Sequence, residues 1–182
     1  MKKIALFGGS FDPPHTGHIA IIEEALEQLD IEKIVVVPAY VNPFKSGSHA
    51  PAVLRLAWLN QIFDHRSDVK ISGFEVLQER PVRSIETVKH FKDEADQIYF
   101  IIGADNLASL TQWHRYDELN DLVTWVVAAR DGIDVPVTFI TLDIAKPVSS
   151  TELRETIKIH ELPESVAQEI TQFYKEKNAK KN

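Results

Sequence analysis

The sequence predicts an α/β fold built on a doubly wound, mostly parallel sheet. Short apolar runs bounded by Gly or Pro alternate along the chain with stretches whose apolar residues recur at helical spacing. That alternation is typical of strands joined by crossover helices. The length of 182 residues suits one domain, and we find no internal repeat or linker. We therefore expect a single domain over residues 1–182, ending in a basic tail over about 176–182.

The first strand, helix and strand of this pattern are expected within residues 4–37. Residues 4–7 are apolar and end at Gly8, as a buried strand does. Apolar residues from Ile19 to Leu29 then recur at helical spacing, and the β-branched run 34–37 follows. A connection of this length permits a right-handed crossover, so we expect the two strands to be parallel.

The remaining elements continue the alternation. Residues 38–51 are rich in Pro, Gly and Ser and predict a loop that is longer than most connections, which is often a sign of function. Pro163 suits the first turn of a last helix that runs to Lys177. Further helices are expected at 54–63, at 85–91 and from Ser149, and further strands at 69–71, 98–102, 123–129 and 137–142.

Composition excludes several classes of protein. The sequence has no cysteine, which excludes disulfides, thiolate metal sites and a cysteine nucleophile. Asp and Glu number 27 against 20 Lys and Arg, and this net charge of −7 argues against nucleic acid as a partner. We find neither a targeting signal nor an apolar run long enough to span a membrane, so a soluble cytoplasmic protein is expected.

A turn rich in glycine and histidine, GGSFDPPHTGH at residues 8–18, follows the first strand. His15 and His18 are close to one helical turn apart, so both rings can lie on one face at a helix N-terminus, where phosphate binds favourably. Imidazoles there can stabilise charge that develops in phosphoryl or nucleotidyl transfer. The alternatives are a glycine turn with incidental histidines, or half of a metal site. Neither a GxGxxG motif nor a P-loop motif occurs in the sequence.

Residues 8–18 resemble the signature of the nucleotidyltransferases with an HxGH motif, which implies their Rossmann-like fold. Three later segments are most similar to the bacterial nicotinate-nucleotide adenylyltransferases within that superfamily. They are IIGADN at 101–106 with Trp113 further on, VSSTELR at 148–154, and the loop that contains Lys45. The resemblance spans residues 4–154 with matched order and spacing.

The resemblance implies a role for each group of residues. His15 and His18 would contact the phosphates and the developing charge, while Lys45 and Arg154 would hold the β- and γ-phosphates of ATP. The other residues implied at ATP are Gly8, Gly9, Ser10, Phe11, Gly103, Asp105, Ser149, Ser150 and Thr151. Those implied at the acceptor are Ser84, Thr87, Trp113 and Arg83.

Four of these residues have structural alternatives. Asp105 can cap the next helix, and Trp113 can belong to the core. Ser149 with Glu152 forms a capping-box pattern, a role that is compatible with a phosphate site. Lys45 can be a solvated loop lysine.

The sequence departs from the family near the pyridine ring of the acceptor. Val82-Arg83-Ser84 stands where the family commonly has Ser-Tyr-Thr, and His114 stands where an aromatic residue is frequent. Arg83 can add a cation near a nicotinate carboxylate, or it can point to solvent.

The reaction that the resemblance implies is ATP plus nicotinate mononucleotide giving the dinucleotide and pyrophosphate. We expect Mg²⁺ to arrive with the triphosphate, held by phosphate oxygens and water, and we expect no dedicated protein metal site. Alternatives are an adenylyltransferase for nicotinamide mononucleotide or phosphopantetheine, and a non-catalytic nucleotide sensor. The sequence does not indicate an oligomeric state.

Overall fold

Six parallel strands form one sheet in the computed structural model, which describes residues 1–41, 49–145 and 148–180. The order of the strands across the sheet is β3-β2-β1-β4-β5-β6. Every pair of neighbours is parallel. The strands are β1 (Lys3–Gly9), β2 (Lys33–Pro38), β3 (Val69–Ile71), β4 (Gln97–Gly103), β5 (Thr124–Ala128) and β6 (Ile140–Leu142).

Helices cover both faces of the sheet. Alternate side chains of β1 point to opposite faces, so Ala5 and Phe7 belong to one apolar layer and Ile4 and Leu6 to the other. This arrangement confirms the predicted doubly wound α/β class. The α-helices are α1 (Thr16–Gln28), α2 (Ala52–Phe63), α3 (Phe74–Leu77), α4 (Ser84–Phe91), α5 (Tyr116–Leu122), α6 (Ser150–Glu155) and α7 (Ala167–Ala179). Short 3-10 helices lie at Lys92–Glu94, Ala104–Gln112 and Ile159–Glu161.

Two predicted boundaries are wrong. The expected strand 137–142 forms only over Ile140–Leu142, because Val137 lies fully exposed in a turn that the Phe139 N–H closes on the Pro136 carbonyl at 3.0 Å. Pro163 does not lie in the first turn of the last helix. It accepts the Val166 N–H at 3.1 Å in a separate turn, and α7 begins at Ala167.

The sheet brings the ends of three strands together. β1 lies beside β4, which in turn lies beside β5, although β1 and β4 are far apart in sequence. The chain therefore changes direction across the sheet between β1 and β4, and such a switch point opens a crevice at the carboxyl ends of the strands. Among the described residues, no helix is long and apolar enough to cross a membrane.

Candidate active site

A cavity of about 450 Å³ opens at the carboxyl ends of β1, β4 and β5. Its walls also come from the N-terminal ends of α1, α4 and α6. The sequence-predicted site residues that line it are His15, His18, Arg154, Gly8, Gly9, Ser10, Phe11, Gly103, Asp105, Ser149, Ser150, Thr151, Ser84, Thr87 and Trp113. Arg83 does not line the cavity, and Lys45 lies outside the described residues.

The two histidines of the first turn form a reciprocal pair. His15 is the N-cap of α1, and its Nδ1 accepts the His18 N–H at 3.3 Å. In return, the Nδ1 of His18 accepts the His15 N–H at 3.2 Å. The rings stack with their centroids 3.6 Å apart and their planes 19° apart. This is a capping box in which imidazoles replace the usual hydroxyl and carboxylate.

These hydrogen bonds decide which ring nitrogen carries a proton. Because Nδ1 is the acceptor in both rings, the ring hydrogen lies on Nε2 in each. His15 is buried, and its desolvation, together with the charge of Arg130, lowers its pKa to about 4. His15 is therefore neutral at physiological pH and presents an Nε2–H donor.

Two glycines allow side chains to approach the backbone closely. A Cβ on Gly17 would lie 3.0 Å from the His15 ring and 3.2 Å from the Val148 Cβ, so Gly17 leaves the space that the stacked ring occupies. A Cβ on Gly103 would lie 2.6 Å from Oδ1 of Asp105, so Gly103 leaves the space for that carboxylate.

Phe11, in the turn between β1 and α1, lines the cavity with a buried side chain. Phe11 has a φ of 49°, an unusual value for a residue other than glycine, and its side chain is buried. Its ring packs edge-on against Phe7 at 5.3 Å and lies tilted against the His18 ring at 4.7 Å between centroids. The aromatic ring of Phe11 thus packs against the His18 ring and supports its position.

The start of α6 is fastened to the same turn. Ser149 is the N-cap and accepts the Glu152 N–H at 3.4 Å, so the capping role that its sequence allows is present. The Ser150 hydroxyl donates to the Pro13 carbonyl at 3.1 Å. Its single proton is used there, so its oxygen can only accept a further hydrogen bond in this arrangement.

Arg154 connects α6 to the same turn through its guanidinium. Its Nη1 donates to the Asp12 carbonyl at 2.7 Å, and its Nη2 donates to Oγ1 of Thr151 at 3.3 Å. A guanidinium has five N–H donors, so these two contacts orient the group without exhausting it. Arg154 therefore presents a held positive charge to the cavity.

The end of β4 carries the next pair of predicted residues. Asp105 lies in the first turn of the 3-10 helix Ala104–Gln112, whose N-cap is Gly103 and makes no side-chain cap hydrogen bond. Because Gly103 is the N-cap, Asp105 does not cap this helix, and its exposed side chain lines the cavity. Trp113 lines the cavity and also packs edge-on against Phe100 and Trp125, at 6.4 Å and 6.1 Å. Trp113 therefore packs against core residues and is also accessible from the cavity.

A buried carboxyl group lies where the acceptor residues were predicted. Ser84 is the first residue of α4, and one turn later the Thr87 hydroxyl donates to the carboxylate of Glu75 on α3. Glu75 and Thr87 are both buried and both line the cavity. Burial raises the pKa of Glu75 to about 7, partly opposed by the hydrogen bond from Thr87.

Comparisons with known proteins agree with this geometry. A Cytidylyltransferase-like family model matches residues 6–156. Over 180 residues the chain is 53% identical to a Sulfurimonas denitrificans protein named "Probable nicotinate-nucleotide adenylyltransferase", with 99% of each chain covered. A Nitratiruptor protein of the same name is 49% identical, with 95% of this chain and 99% of that protein covered.

The chain belongs to the nicotinate-nucleotide adenylyltransferase family. A solved structure supports the fold independently. The Plasmodium falciparum nicotinic acid mononucleotide adenylyltransferase complexed with NaAD has a TM-score of 0.74 to this chain, covering 98% of this chain and 97% of that one. The two sequences are 19% identical, so this likeness bears on the fold.

Arg130, Glu75 and Asp12 line the cavity but are not among the site residues predicted from the sequence. Arg130 follows directly on the predicted strand 123–129, and that position at a carboxyl end is a signal that could have found it. Glu75 lies in a four-residue helix, which is too short for a periodic pattern. Asp12 was quoted within the first motif but given no role, although its side chain is almost fully buried.

Arg83 is the one acceptor-side prediction that lies outside the lining of the cavity. It is the exposed N-cap of α4, and its backbone N–H donates to the Glu86 carboxylate at 2.9 Å. Of its two interpretations, this position favours the one in which the guanidinium points to solvent.

Proposed function

We propose that this chain transfers the adenylyl group of ATP to nicotinate mononucleotide, giving nicotinate adenine dinucleotide and pyrophosphate, a step of NAD biosynthesis. The observation that carries the proposal is the stacked pair of His15 and His18 at the start of α1, in a cavity at the switch point of the sheet. Relatives covered over nearly their whole length are named for this reaction.

The chemistry asks for positioning more than for acid–base catalysis. A phosphate monoester is mostly dianionic at neutral pH because its second pKa is about 6. An oxygen of the acceptor's 5′-phosphate can therefore attack the α-phosphorus of ATP without a general base. The new phosphorus–oxygen bond forms as the bond to the β-phosphate oxygen breaks, and pyrophosphate leaves with that electron pair.

The histidine pair is suited to the charge that develops in this step. Nε2–H groups on His15 and His18 would donate to the phosphate oxygens on which charge increases. His15 stays neutral, so it stabilises charge as a hydrogen-bond donor held in place by its cap and by the stacked ring. The reciprocal bonds keep both donors oriented before ATP arrives, which avoids a cost of reorganisation during the reaction.

Cations would hold the leaving group. We assign Arg154 and Lys45 to the β- and γ-phosphates, with Ser149, Ser150 and Thr151 beside them. Arg130, like Arg154, lines the cavity and adds a positive charge to its wall. Among residues 1–41, 49–145 and 148–180, no group of three or more His, Cys, Asp or Glu could hold a metal ion. The residues that line the cavity fit a Mg²⁺ ion that enters bound to ATP. Phosphate oxygens and water would hold this ion, and it would neutralise phosphate charge.

The acceptor would occupy the end of the cavity between α4 and Trp113. The Trp113 indole can stack on the pyridine ring while its edges pack against Phe100 and Trp125. Ser84 and Thr87 line the same end, with Glu75 behind Thr87.

The proposed function can be tested with one assay that separates it from its alternatives. Purified protein is mixed with ATP and Mg²⁺ and with nicotinate mononucleotide, nicotinamide mononucleotide or phosphopantetheine, and pyrophosphate release is followed. We expect the highest kcat/KM with nicotinate mononucleotide. A higher value with either other acceptor would reassign the substrate, and release with none of them would favour a nucleotide sensor.

A further inference from the structure

The hydroxyl of Tyr174 on α7 donates a hydrogen bond to the carboxylate of Asp12, across 162 residues of sequence. We propose that Tyr174 is a positioning residue for the ATP site, acting through Asp12 on the turn between β1 and α1. This inference rests on the proposed adenylyl transfer.

The Asp12 carboxylate collects donors from two separate parts of the chain. It accepts the backbone N–H of His49 at 2.5 Å, that of Ala50 at 3.0 Å, and the Tyr174 hydroxyl. Its side chain is almost fully buried, so each of these bonds replaces a lost contact with water. Asp12 and His49 both line the cavity, and the carboxylate therefore joins two of its walls.

The backbone carbonyls of the same turn are also engaged. Nη1 of the buried Arg55 donates to the Ser10 carbonyl at 2.5 Å, while Arg154 and Ser150 donate to the carbonyls of Asp12 and Pro13. The turn is thus held by its carbonyls from α2 and α6. Helix α7 contacts this turn through the hydrogen bond from the Tyr174 hydroxyl to the Asp12 side chain.

The Tyr174 ring and its hydroxyl have separate roles. The ring is buried among apolar residues, with Trp58 at 6.4 Å and Phe173 at 5.0 Å between ring centroids. The hydroxyl alone reaches Asp12. Burial raises the pKa of Tyr174, and the hydrogen bond to Asp12 raises it further, so the hydroxyl remains a donor. Replacement by Phe keeps the packed ring and removes one contact.

A second contact from α7 reaches His49, whose backbone N–H donates to Asp12. The Lys177 ammonium, further along α7, donates to the carbonyl of His49. Tyr174 and Lys177 therefore hold the Asp12 turn and the segment 49–50 in one relative position. Asp12 and His49 line the cavity, so a change in the spacing of these two segments would affect binding of the phosphates rather than binding of the acceptor ring at Trp113.

The test compares two variants of the same helix. Tyr174→Phe removes the bond to Asp12, whereas Thr171→Val removes a hydrogen bond of Thr171 to the Ala167 carbonyl within α7 and leaves the turn untouched. Calorimetric titration with Mg·ATP, without acceptor, gives the ATP dissociation constant of each. For Tyr174→Phe we expect this constant to rise on the order of tenfold, with the KM for nicotinate mononucleotide within about twofold of wild type. Thr171→Val should leave both constants unchanged.

An unchanged ATP constant in Tyr174→Phe would overturn the inference, as would an equal rise in Thr171→Val. In an Asp12→Ala background, Tyr174→Phe should add no further weakening, because the acceptor of the Tyr174 hydroxyl is already absent. If Tyr174→Phe does not fold, Lys177→Met replaces it with Lys175→Met as control, and equal ATP constants in that pair would also overturn the inference.

Wild type that binds ATP but releases no pyrophosphate would instead refute the proposed function. No binding of ATP by wild type would refute both.

Discussion

His15 and His18 each accept the other's backbone N–H on Nδ1 while their rings stack 3.6 Å apart. One pair of side chains therefore begins the helix and orients the two groups assigned to the phosphates. Capping and phosphate contact depend on the same two side chains but on different ring nitrogens, Nδ1 and Nε2, so a suitable variant can separate the two roles.

His18→Asn should separate capping from catalysis. An Asn oxygen can take the place of Nδ1 and still accept the His15 N–H, but the Nε2–H donor is lost. We expect kcat to fall about 10²–10³-fold, as when one preorganised donor is removed. His18→Ala should lose a similar factor in kcat and also about 1 kcal/mol of stability from the cap, while keeping the fold. Pyrophosphate release and thermal unfolding measure the two effects. Near wild-type turnover in either variant would refute the role of His18.

Gly17→Ala should lower activity more than stability. The new Cβ meets the His15 ring at 3.0 Å, and that ring cannot move without breaking its stack on His18. Ala stabilises a helix by up to about 1 kcal/mol over Gly, which offsets part of the strain. We expect a drop in kcat of about tenfold or more with a change in unfolding free energy below about 1 kcal/mol. Unaltered kcat would mean that the position of the His15 ring is not critical.

Trp113→Phe should weaken binding of the acceptor and leave binding of ATP unchanged. A smaller ring keeps an aromatic contact with Phe100 but offers less area for stacking on the pyridine. We expect the KM for nicotinate mononucleotide to rise about tenfold. Trp125→Phe is the matched control, because Trp125 packs against Trp113 at 6.1 Å without lining the cavity. Equal effects of the two variants would assign Trp113 to the core alone.

The wild type should lose stability as pH rises, and the Glu75→Gln variant should not show this loss. The pKa of Glu75 is about 7 in the folded protein against an ordinary 4.5, so the folded state holds this proton more tightly. The stabilisation is complete below pH 4.5 and is lost as pH rises past 7. At about 1.4 kcal/mol for each tenfold change in affinity, the wild type should lose roughly 3 kcal/mol relative to Glu75→Gln across this window. Denaturant unfolding at several pH values measures it. A constant difference between the two proteins would contradict the burial of a titrating carboxyl.

His15→Asn should reveal a dependence of opposite sign. The pKa of His15 is about 4 when folded against an ordinary 6.5, so the unfolded state binds the proton more tightly. The contribution of neutral His15 is complete above pH 6.5 and is lost as pH falls to 4. Relative to His15→Asn, which keeps a good N-cap, wild type should lose roughly 3 kcal/mol over that range. A stability difference that does not vary between pH 6.5 and pH 4 would contradict a neutral, buried His15.

These two groups oppose each other between pH 4.5 and 6.5 in the wild type. Glu75 weakens the fold as pH rises through that range, and His15 strengthens it. The double variant should therefore show a pH profile there that resembles the wild type more than either single variant does.

The sequence predicted those parts of the molecule in which neighbouring residues carry the information. The apolar run at 4–7 and the β-branched run at 34–37 are long enough to predict β1 and β2, and the connection between them holds both histidines at the start of α1. Two hydrogen bonds, from Ser150 to Pro13 and from Thr87 to Glu75, join separate segments of the chain. No local sequence pattern predicts such contacts. The strand prediction was wrong at Val137 because a β-branched residue after Pro136 is typical of a strand, whereas this side chain is fully exposed.

The contact between Tyr174 and Asp12 also sets an order of events during synthesis. The motif at residues 8–18 leaves the ribosome early, but the donor that holds Asp12 follows 162 residues later. At about 5–20 residues per second, that interval lasts roughly 8 to 30 s. During this time a nascent chain can pair its strands while its nucleotide turn still lacks one of its supports. We therefore expect fragments that end before Tyr174 to bind ATP more weakly than the full chain does.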